Sequence, residues 1–414
     1  MAVMVLSVSW TLPYLGQERF GAWMTIASFV GMLTFLDLGV GNALTNQVAK
    51  AATEKDPSAL VRVISGGLGI LFLLGLTVGS ILSVLAVNLP WVRIIKVTNP
   101  AIQDEIGRAL FVFSVLFGFN LFTNGLQRIF AGLQRSFEAH AVSAAGLIAS
   151  LIALWWSTRS ASGIPVLLVS TFGCQTIAGL YLLVLLARRR LFQLPRIVSA
   201  ISAEKAIVFK IGGLFFILQI GTMIGWGADC LIIASTLGAG QVAVYSITQR
   251  LFQFVTQPLS MISAPLWGAY ADAHARGDKE FIRRTLKRSM LLAAVGSVIV
   301  GGLLLVTSSQ LFKWWTLGAI SVPFNFVAVF FVWTLCDALG NAFAMLLNGC
   351  GVVREQVITV ILLTGLALPI KFAFLEFFGV AGMVAGYTIL YLIIVLTLYG
   401  VIFKADLAAK TGLK

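Results

Sequence analysis

Residues 63–87, "VISGGLGILFLLGLTVGSILSVLAV", run for 25 positions without one ionisable side chain. A soluble domain has no way to cover such a run with polar surface, and a helix of about 20 apolar residues crosses the hydrocarbon core of a bilayer. Similar runs recur along the whole chain of 414 residues, which is 59% hydrophobic and only 11% charged, with a mean hydropathy of +0.97. Soluble globular domains carry about 25% charged residues. Lipid is therefore the solvent, and the backbone must satisfy its own hydrogen bonds there. A membrane β-barrel would show alternating spans of about 10 residues; these runs are continuous and longer. The fold class expected is an all-α polytopic membrane protein.

The hydropathy places helices over residues 2–14, 20–43, 62–88, 107–130, 139–158, 163–187, 207–235, 241–268, 288–309, 323–348, 355–375 and 379–403. That gives about twelve spans, the first of them short. The short run lacks a basic flank and a clear cleavage site, so a shortened first helix is expected rather than a signal peptide. With both termini cytoplasmic, three times as many Lys and Arg residues fall on the cytoplasmic connections as on the outer ones, led by the 188–210 and 276–288 segments. Positive charge concentrates on the inside, so the protein is expected to be multi-pass in the cell (inner) membrane. The net charge of +13 is thereby topological and implies no nucleic acid.

The chain also resembles itself. A shift of 222 positions lays Leu15-Gly16 on Leu237-Gly238, Thr34 on Thr256 and Arg62 on Arg284. A shift of 217 lays Asn124 on Asn341, Gly132 on Gly349 and Glu138 on Glu355. Both shifts move the chain by six helices, an even number, so the halves would share one orientation. Parallel repeats of this kind mark transporters. The domains expected are an N-terminal six-helix lobe (1–190), a cytoplasmic linker (191–206) and a C-terminal six-helix lobe (207–414).

Polar residues inside the membrane cost free energy and turn toward protein or water. At helical spacing they form stripes: Ser246, Arg250, Gln253, Gln257 and Ser260; Gln219, Thr222, Trp226 and Asp229; Thr334, Asp337, Asn341 and Asn348; Asn120, Asn124 and Gln127; Thr34, Asp37, Gly41 and Thr45. Such stripes predict hydrated space between two bundles. Asp229 and Arg250 fall at similar depth on neighbouring antiparallel helices, so an ion pair between them is expected. Gly75 and Gly79 form a GxxxG, which predicts a close helix contact. Pro258, Pro265 and Pro369 predict bends. The four cysteines, Cys174, Cys230, Cys336 and Cys350, show no metal-ligand spacing, and His140 and His274 lie apart, so no metal site is expected. A nucleotide-binding GxxxxGK[ST] is missing from the sequence, and no cofactor or enzymatic activity is expected.

"YLGQERFGAWMTIASFVGMLTFLDLGVGNALTNQVAK" (14–50) resembles the opening of the polysaccharide translocases, the O-antigen-flippase-like group, through Leu15-Gly16, Phe20-Gly21, Trp23 and Asp37-Leu38-Gly39-Val40-Gly41. "ASTLGAGQVAVYSITQRL" (234–251) and "PLSMISAPLWGAYADAHARGDKEFIRR" (258–284) are similar to the second half of that group. The group belongs to the multidrug, oligosaccharidyl-lipid and polysaccharide exporter superfamily. The resemblance implies two six-helix lobes around a V-shaped central cavity. It implies a flippase that carries a polyprenyl-diphosphate-linked oligosaccharide to the outer leaflet by ion-coupled alternating access. The partners it implies are the lipid-linked oligosaccharide, H+ or Na+, membrane lipids, and a glycan polymerase or glycosyltransferases. Arg250 would then attract the diphosphate. Gln253, Gln257, Asn120, Asn124, Gln127 and Asn341 would bind sugar hydroxyls, and Asp37, Asp229 or Asp337 would carry the coupling ion. Arg19, Arg128 and Lys371, near helix ends, could add positive charge. The group favours a cationic lumen, whereas the deep set here is three aspartates against one arginine. A cation-coupled multidrug exporter of the same fold and a non-transporting scaffold for glycan assembly are the competing readings.

Overall fold

The computed structural model describes residues 2–33, 40–53, 57–96, 100–160, 162–192, 225, 227–263 and 265–402. Among the described residues the regular structure is helical, and the chain divides into two compact units, Ala2–Met223 and Ile224–Lys414. Seven described helices are long and apolar enough to cross a membrane. Their outer faces carry exposed Phe72, Leu76 and Ile81 in one unit and Leu291, Ile299 and Val306 in the other. Apolar patches on this scale face lipid rather than water.

The first unit is built from α1 (Ala2–Leu33), α2 (Val40–Thr53), α3 (Pro57–Asn88), the short α4 (Trp91–Ile95), α5 (Pro100–Gly132), α6 (Ser136–Arg159) and α7 (Ile164–Arg188). Helices α3 and α5 approach most closely where small residues face one another. A Cβ built on Gly118 would lie 2.6 Å from the carbonyl oxygen of Gly75, and one on Gly79 would lie 3.4 Å from Gly118 Cα. The GxxxG contact expected from the sequence is therefore present, with Gly118 completing it. Below it, Leu44, Ile64, Leu68, Leu126, Phe130 and Leu186 join α2, α3, α5 and α7 in one buried cluster.

The second unit holds α8 (Asp229–Leu237), α9 (Ala239–Ser263), α10 (Leu266–Ala275), α11 (Lys279–Trp315), α12 (Phe324–Gly349) and α13 (Val353–Thr397). Aromatic rings fasten α9 to α12: Phe252 stacks on Phe330 at 5.6 Å, and Tyr245 meets the same ring edge-on at 5.8 Å. Two expected spans change. The run 241–268 is not one bent helix, because α9 stops at Ser263 and Pro265 caps the separate α10. Proline lacks the N–H that a continuing helix needs and clashes with the preceding turn. The run 20–43 likewise contributes to two helices, α1 ending at Leu33 and α2 starting at Val40.

The internal repeat reappears in the backbone of each unit. Helix α3 begins at Pro57 and α11 at Lys279; α5 ends at Gly132 and α12 at Gly349; α6 begins at Ser136 and α13 at Val353. These pairs are separated by the two shifts that align the sequence. Three pairs of positive-φ positions follow the same rule: Gly16 with Gly238, Lys96 with Gly318, and Gln134 with Gly351.

Candidate functional site

Two polar constellations stand out, one in each unit. The second unit places an ion pair in its interior. Asp229 opens α8, and Lys371 lies on α13 two residues after Pro369. The Lys371 ammonium donates to Asp229 Oδ1 and to the carbonyl oxygen of Gly225. Its side chain is 1% exposed and that of Asp229 9%. Tyr245, on α9, donates from its hydroxyl to Asp229 Oδ2 at 2.6 Å. The ring of Tyr387 covers the ammonium, 4.2 Å from nitrogen to centroid. Both carboxylate oxygens thus have donors, and the cation has an anion, a carbonyl and an aromatic face. A buried pair needs this degree of satisfaction to offset the desolvation of two ions.

The expected Asp229–Arg250 pair is not formed: Asp229 is answered by Lys371 and Tyr245 instead. Arg250 is half-buried on α9, one turn after the buried Ser246. Gln253 is half-buried and Gln257 exposed further along the same helix. Asp337 and Asn341 are half-buried one turn apart on α12. Lys371 was the residue missed as a partner, since a charge near an expected helix end reads as an interfacial anchor. The available signal was its setting, "ALPIKFAFLEFFGV", a lone ammonium carrier directly after a helix-bending proline.

In the first unit a cavity of about 400 Å³ is lined by Asn124, Gln127 and Arg128 of α5, Ser136 and His140 of α6, and Gly41 of α2. Close helix approach frames it. Thr45 donates to the carbonyl oxygens of Gly41 and Arg128, each at 3.1 Å, and a Cβ on Gly132 would lie 2.6 Å from the Thr45 carbonyl oxygen. Asn124 also donates to Asn120 Oδ1 at 2.8 Å, so Asn120 orients a lining residue without lining the cavity itself. Among the described residues the lining contains Arg128 and His140 and no carboxylate. The N-terminal turn of α6, which opens at Ser136, adds a partial positive charge. The cavity therefore offers amide and hydroxyl groups beside a cationic edge, a surface suited to a hydroxyl-rich anion.

His140, at the start of the expected 139–158 span and given no binding role there, lies on α6 and lines this cavity. Arg19 is engaged elsewhere: it pairs with Glu105 at 2.7 Å, and Glu105 also accepts from the backbone N–H of Ile164. Thr34 and Asp37, together with Gln219, Thr222 and Trp226, lie outside the described residues.

Fold and polar interior together define a polytopic helical membrane protein, and comparison with known proteins gives its relationships. The structure is similar over 100% of this chain and 96% of the other to an inward-facing multidrug resistance MATE family transporter of the MOP superfamily, with a TM-score of 0.83 at 14% identity. It is also similar to the lipid II flippase MurJ in an inward closed conformation, with a TM-score of 0.70 at 12% identity, over 97% of this chain and 86% of that one. In sequence the chain is 21% identical over 398 residues to a Salmonella typhi protein named "Putative O-antigen transporter", covering 93% of this chain and 88% of the other. The polysaccharide biosynthesis protein family matches residues 11–266, and the chain belongs to that family.

Proposed function

We propose that this protein is a flippase that moves a polyprenyl-diphosphate-linked oligosaccharide from the cytoplasmic to the outer leaflet of the cell (inner) membrane. The observation that carries the reading is the first-unit cavity, where Arg128 and His140 stand beside Asn124, Gln127 and Ser136 with no acid among the described lining residues. Guanidinium pairs well with phosphate, and the amides supply donors and acceptors for sugar hydroxyls. By the distribution of basic residues this cavity opens near the cytoplasmic side, where such a substrate is assembled. Membership of the polysaccharide biosynthesis family and the likeness to the O-antigen transporter support the same substrate class.

In this reading Asn124, oriented by Asn120, and Gln127 in one unit, and Arg250, Gln253, Gln257 and Asn341 in the other, bind the travelling head group. Asp37 and Asp337 are the acids left to couple transport to H+ or Na+, because Asp229, the third acid of the expected set, is paired with Lys371. Transport proceeds by alternating access, and a glycan polymerase or glycosyltransferases supply and receive the substrate. The rival on the same fold is a cation-coupled drug exporter, favoured by the acids of the second unit. The charge of Asp229, however, is balanced by Lys371, which leaves that unit less acidic than its sequence reads.

Deletion of the gene tests the proposal. Lipid-linked glycan is expected to accumulate on the cytoplasmic leaflet while surface glycan falls, and the wild-type gene is expected to restore both. Unchanged glycan with altered resistance to cationic drugs would establish the exporter instead.

A further inference from the structure

We propose that Lys371 is a tethered ammonium filling a monovalent-cation site built by Asp229 and the carbonyl oxygen of Gly225. The inference is independent of which substrate the protein carries.

The geometry around the ammonium is that of an ion site. Asp229 Oδ1 and the Gly225 carbonyl oxygen both accept from Lys371 Nζ. The backbone at Gly225 and Gly227, just before α8, has π-type geometry, which shifts carbonyls out of the regular helical bonding pattern. Backbone carbonyls set apart from the regular helical pattern are among the groups that coordinate coupling cations in transporters. Glycine at 225 also lets Tyr387 come close to the backbone, since a Cβ there would lie 3.0 Å from the tyrosine's hydroxyl oxygen. The same tyrosine presents its ring to the ammonium, and aromatic faces attract cations of any chemistry.

The remaining room fits the reading. The residues around the pair enclose a cavity of about 10 Å³, bounded by Asp229, Tyr245, Trp333, Lys371 and Tyr387. A single water needs about 10–15 Å³. The space thus has room for one small particle beside the pair, and removing the lysine side chain enlarges it. A hydrated ion is too large to enter; a dehydrated Na+ needs the oxygens that Asp229 and Gly225 place there.

A tethered ammonium has one consequence that an ordinary structural ion pair lacks. With Lys371 present, the site is satisfied from inside and needs no ion from solution. With the ammonium removed, the same oxygens must take a cation from solution, or Asp229 stands buried and unmatched.

The test is thermal unfolding of purified protein in detergent, in NaCl against choline chloride at equal concentration. Wild type is expected to melt at the same temperature in both salts. Lys371→Ala is expected to melt about 2–4 °C higher in NaCl, the shift given by a ligand present at several times its Kd. Lys371→Met, which keeps the volume, is expected to shift in the same direction by less. Adding Asp229→Asn to either variant is expected to abolish the difference. If either lysine variant is monodisperse only in NaCl, the proposal is supported. It is overturned by equal melting of Lys371→Ala in the two salts, by a Na+ shift that survives Asp229→Asn, or by both variants failing to give monodisperse protein in either salt.

Discussion

Gly16 and Gly238, 222 positions apart, hold the same backbone conformation: φ 73° and ψ 172° in the first, φ 90° and ψ 164° in the second. Positive φ with extended ψ is open essentially only to glycine. Each follows a leucine, and each stands where one helical segment gives way to another. Gly379, at φ 66° and ψ −162°, performs the same turn within α13. Alanine at any of the three is expected to cost about 1–3 kcal/mol, read as a lower melting temperature of purified protein. The space around Gly16 and Gly379 is not the issue, since a Cβ at either meets nothing within 4 Å. Gly107 is equally open but helical, so Gly107→Ala is expected to be neutral or slightly stabilising. Equal losses at Gly107 and Gly16 would remove the conformational explanation.

The seam between α3 and α5 supplies a second expectation, of steric origin. At Gly118 a methyl group would press on the Gly75 carbonyl oxygen at 2.6 Å, and neither backbone has a side chain to move aside. Gly118→Ala is expected to part the helices and lower stability by about 1–3 kcal/mol, the usual cost of overpacking. Gly118→Val is expected to lose more and to reduce the yield of monodisperse protein. Gly125 is a useful contrast, because its Cβ would meet only the far end of the flexible Leu71 side chain. Gly125→Ala is expected to be the milder change.

Much of this was legible before any coordinates. Continuous apolar runs fix the solvent as lipid, and the solvent then restricts the backbone to helices. The repeat was legible because left-handed turns constrain residue type: Leu15-Gly16 and Leu237-Gly238 match in sequence for the reason they match in conformation. The GxxxG at Gly75 and Gly79 was legible too, though its partner Gly118 was not, since the α5 glycines, at 107, 118, 125 and 132, form no GxxxG that would mark it. Partner choice among buried charges was the illegible part. Helical periodicity places Asp229 and Arg250 on stripes, yet pairing depends on which helices pack, and α13 brings Lys371 to Asp229 from 142 residues away. The cavity of the first unit was only half legible: Asn124 and Gln127 were marked by their stripe, whereas His140, at the first turn of the expected 139–158 span, belonged to no polar stripe.

The buried pair makes a prediction about stability that a double-mutant cycle can read. Asp229→Asn leaves the Lys371 ammonium 1% exposed and without its anion, and Lys371→Met leaves the carboxylate without its cation. Either single change is expected to cost about 3–5 kcal/mol in choline-based buffer. The double variant, Asp229→Asn with Lys371→Met, is expected to recover most of that loss, because no uncompensated charge remains. A simple sum of the two single losses in the double variant would mean that the residues stabilise the fold separately. Tyr245→Phe removes one donor from Asp229 Oδ2, and a smaller loss of about 1.5–3 kcal/mol is expected for a hydrogen bond to a charged group.

Arg128 and Asn124 separate a binding role from a structural one. Both side chains are exposed on the wall of the first-unit cavity, so their removal leaves no buried group unmatched. Arg128→Ala is expected to melt like wild type yet to lower glycan export, since losing one charge-assisted hydrogen bond of about 1.5–3 kcal/mol weakens binding by roughly 10- to 100-fold. Arg128→Lys keeps the charge without the planar fork and is expected to restore part of the export. Asn124→Ala is expected to have a smaller effect, through the sugar rather than the phosphate. The measurement is surface glycan in a deletion strain carrying each variant at matched expression. Binding of farnesyl diphosphate against farnesol to purified protein isolates the phosphate. Preference for the diphosphate is expected in wild type and in Asn124→Ala, and its loss in Arg128→Ala. A preference untouched by Arg128→Ala would move the phosphate site out of this cavity and leave Arg250 as the cation to test next.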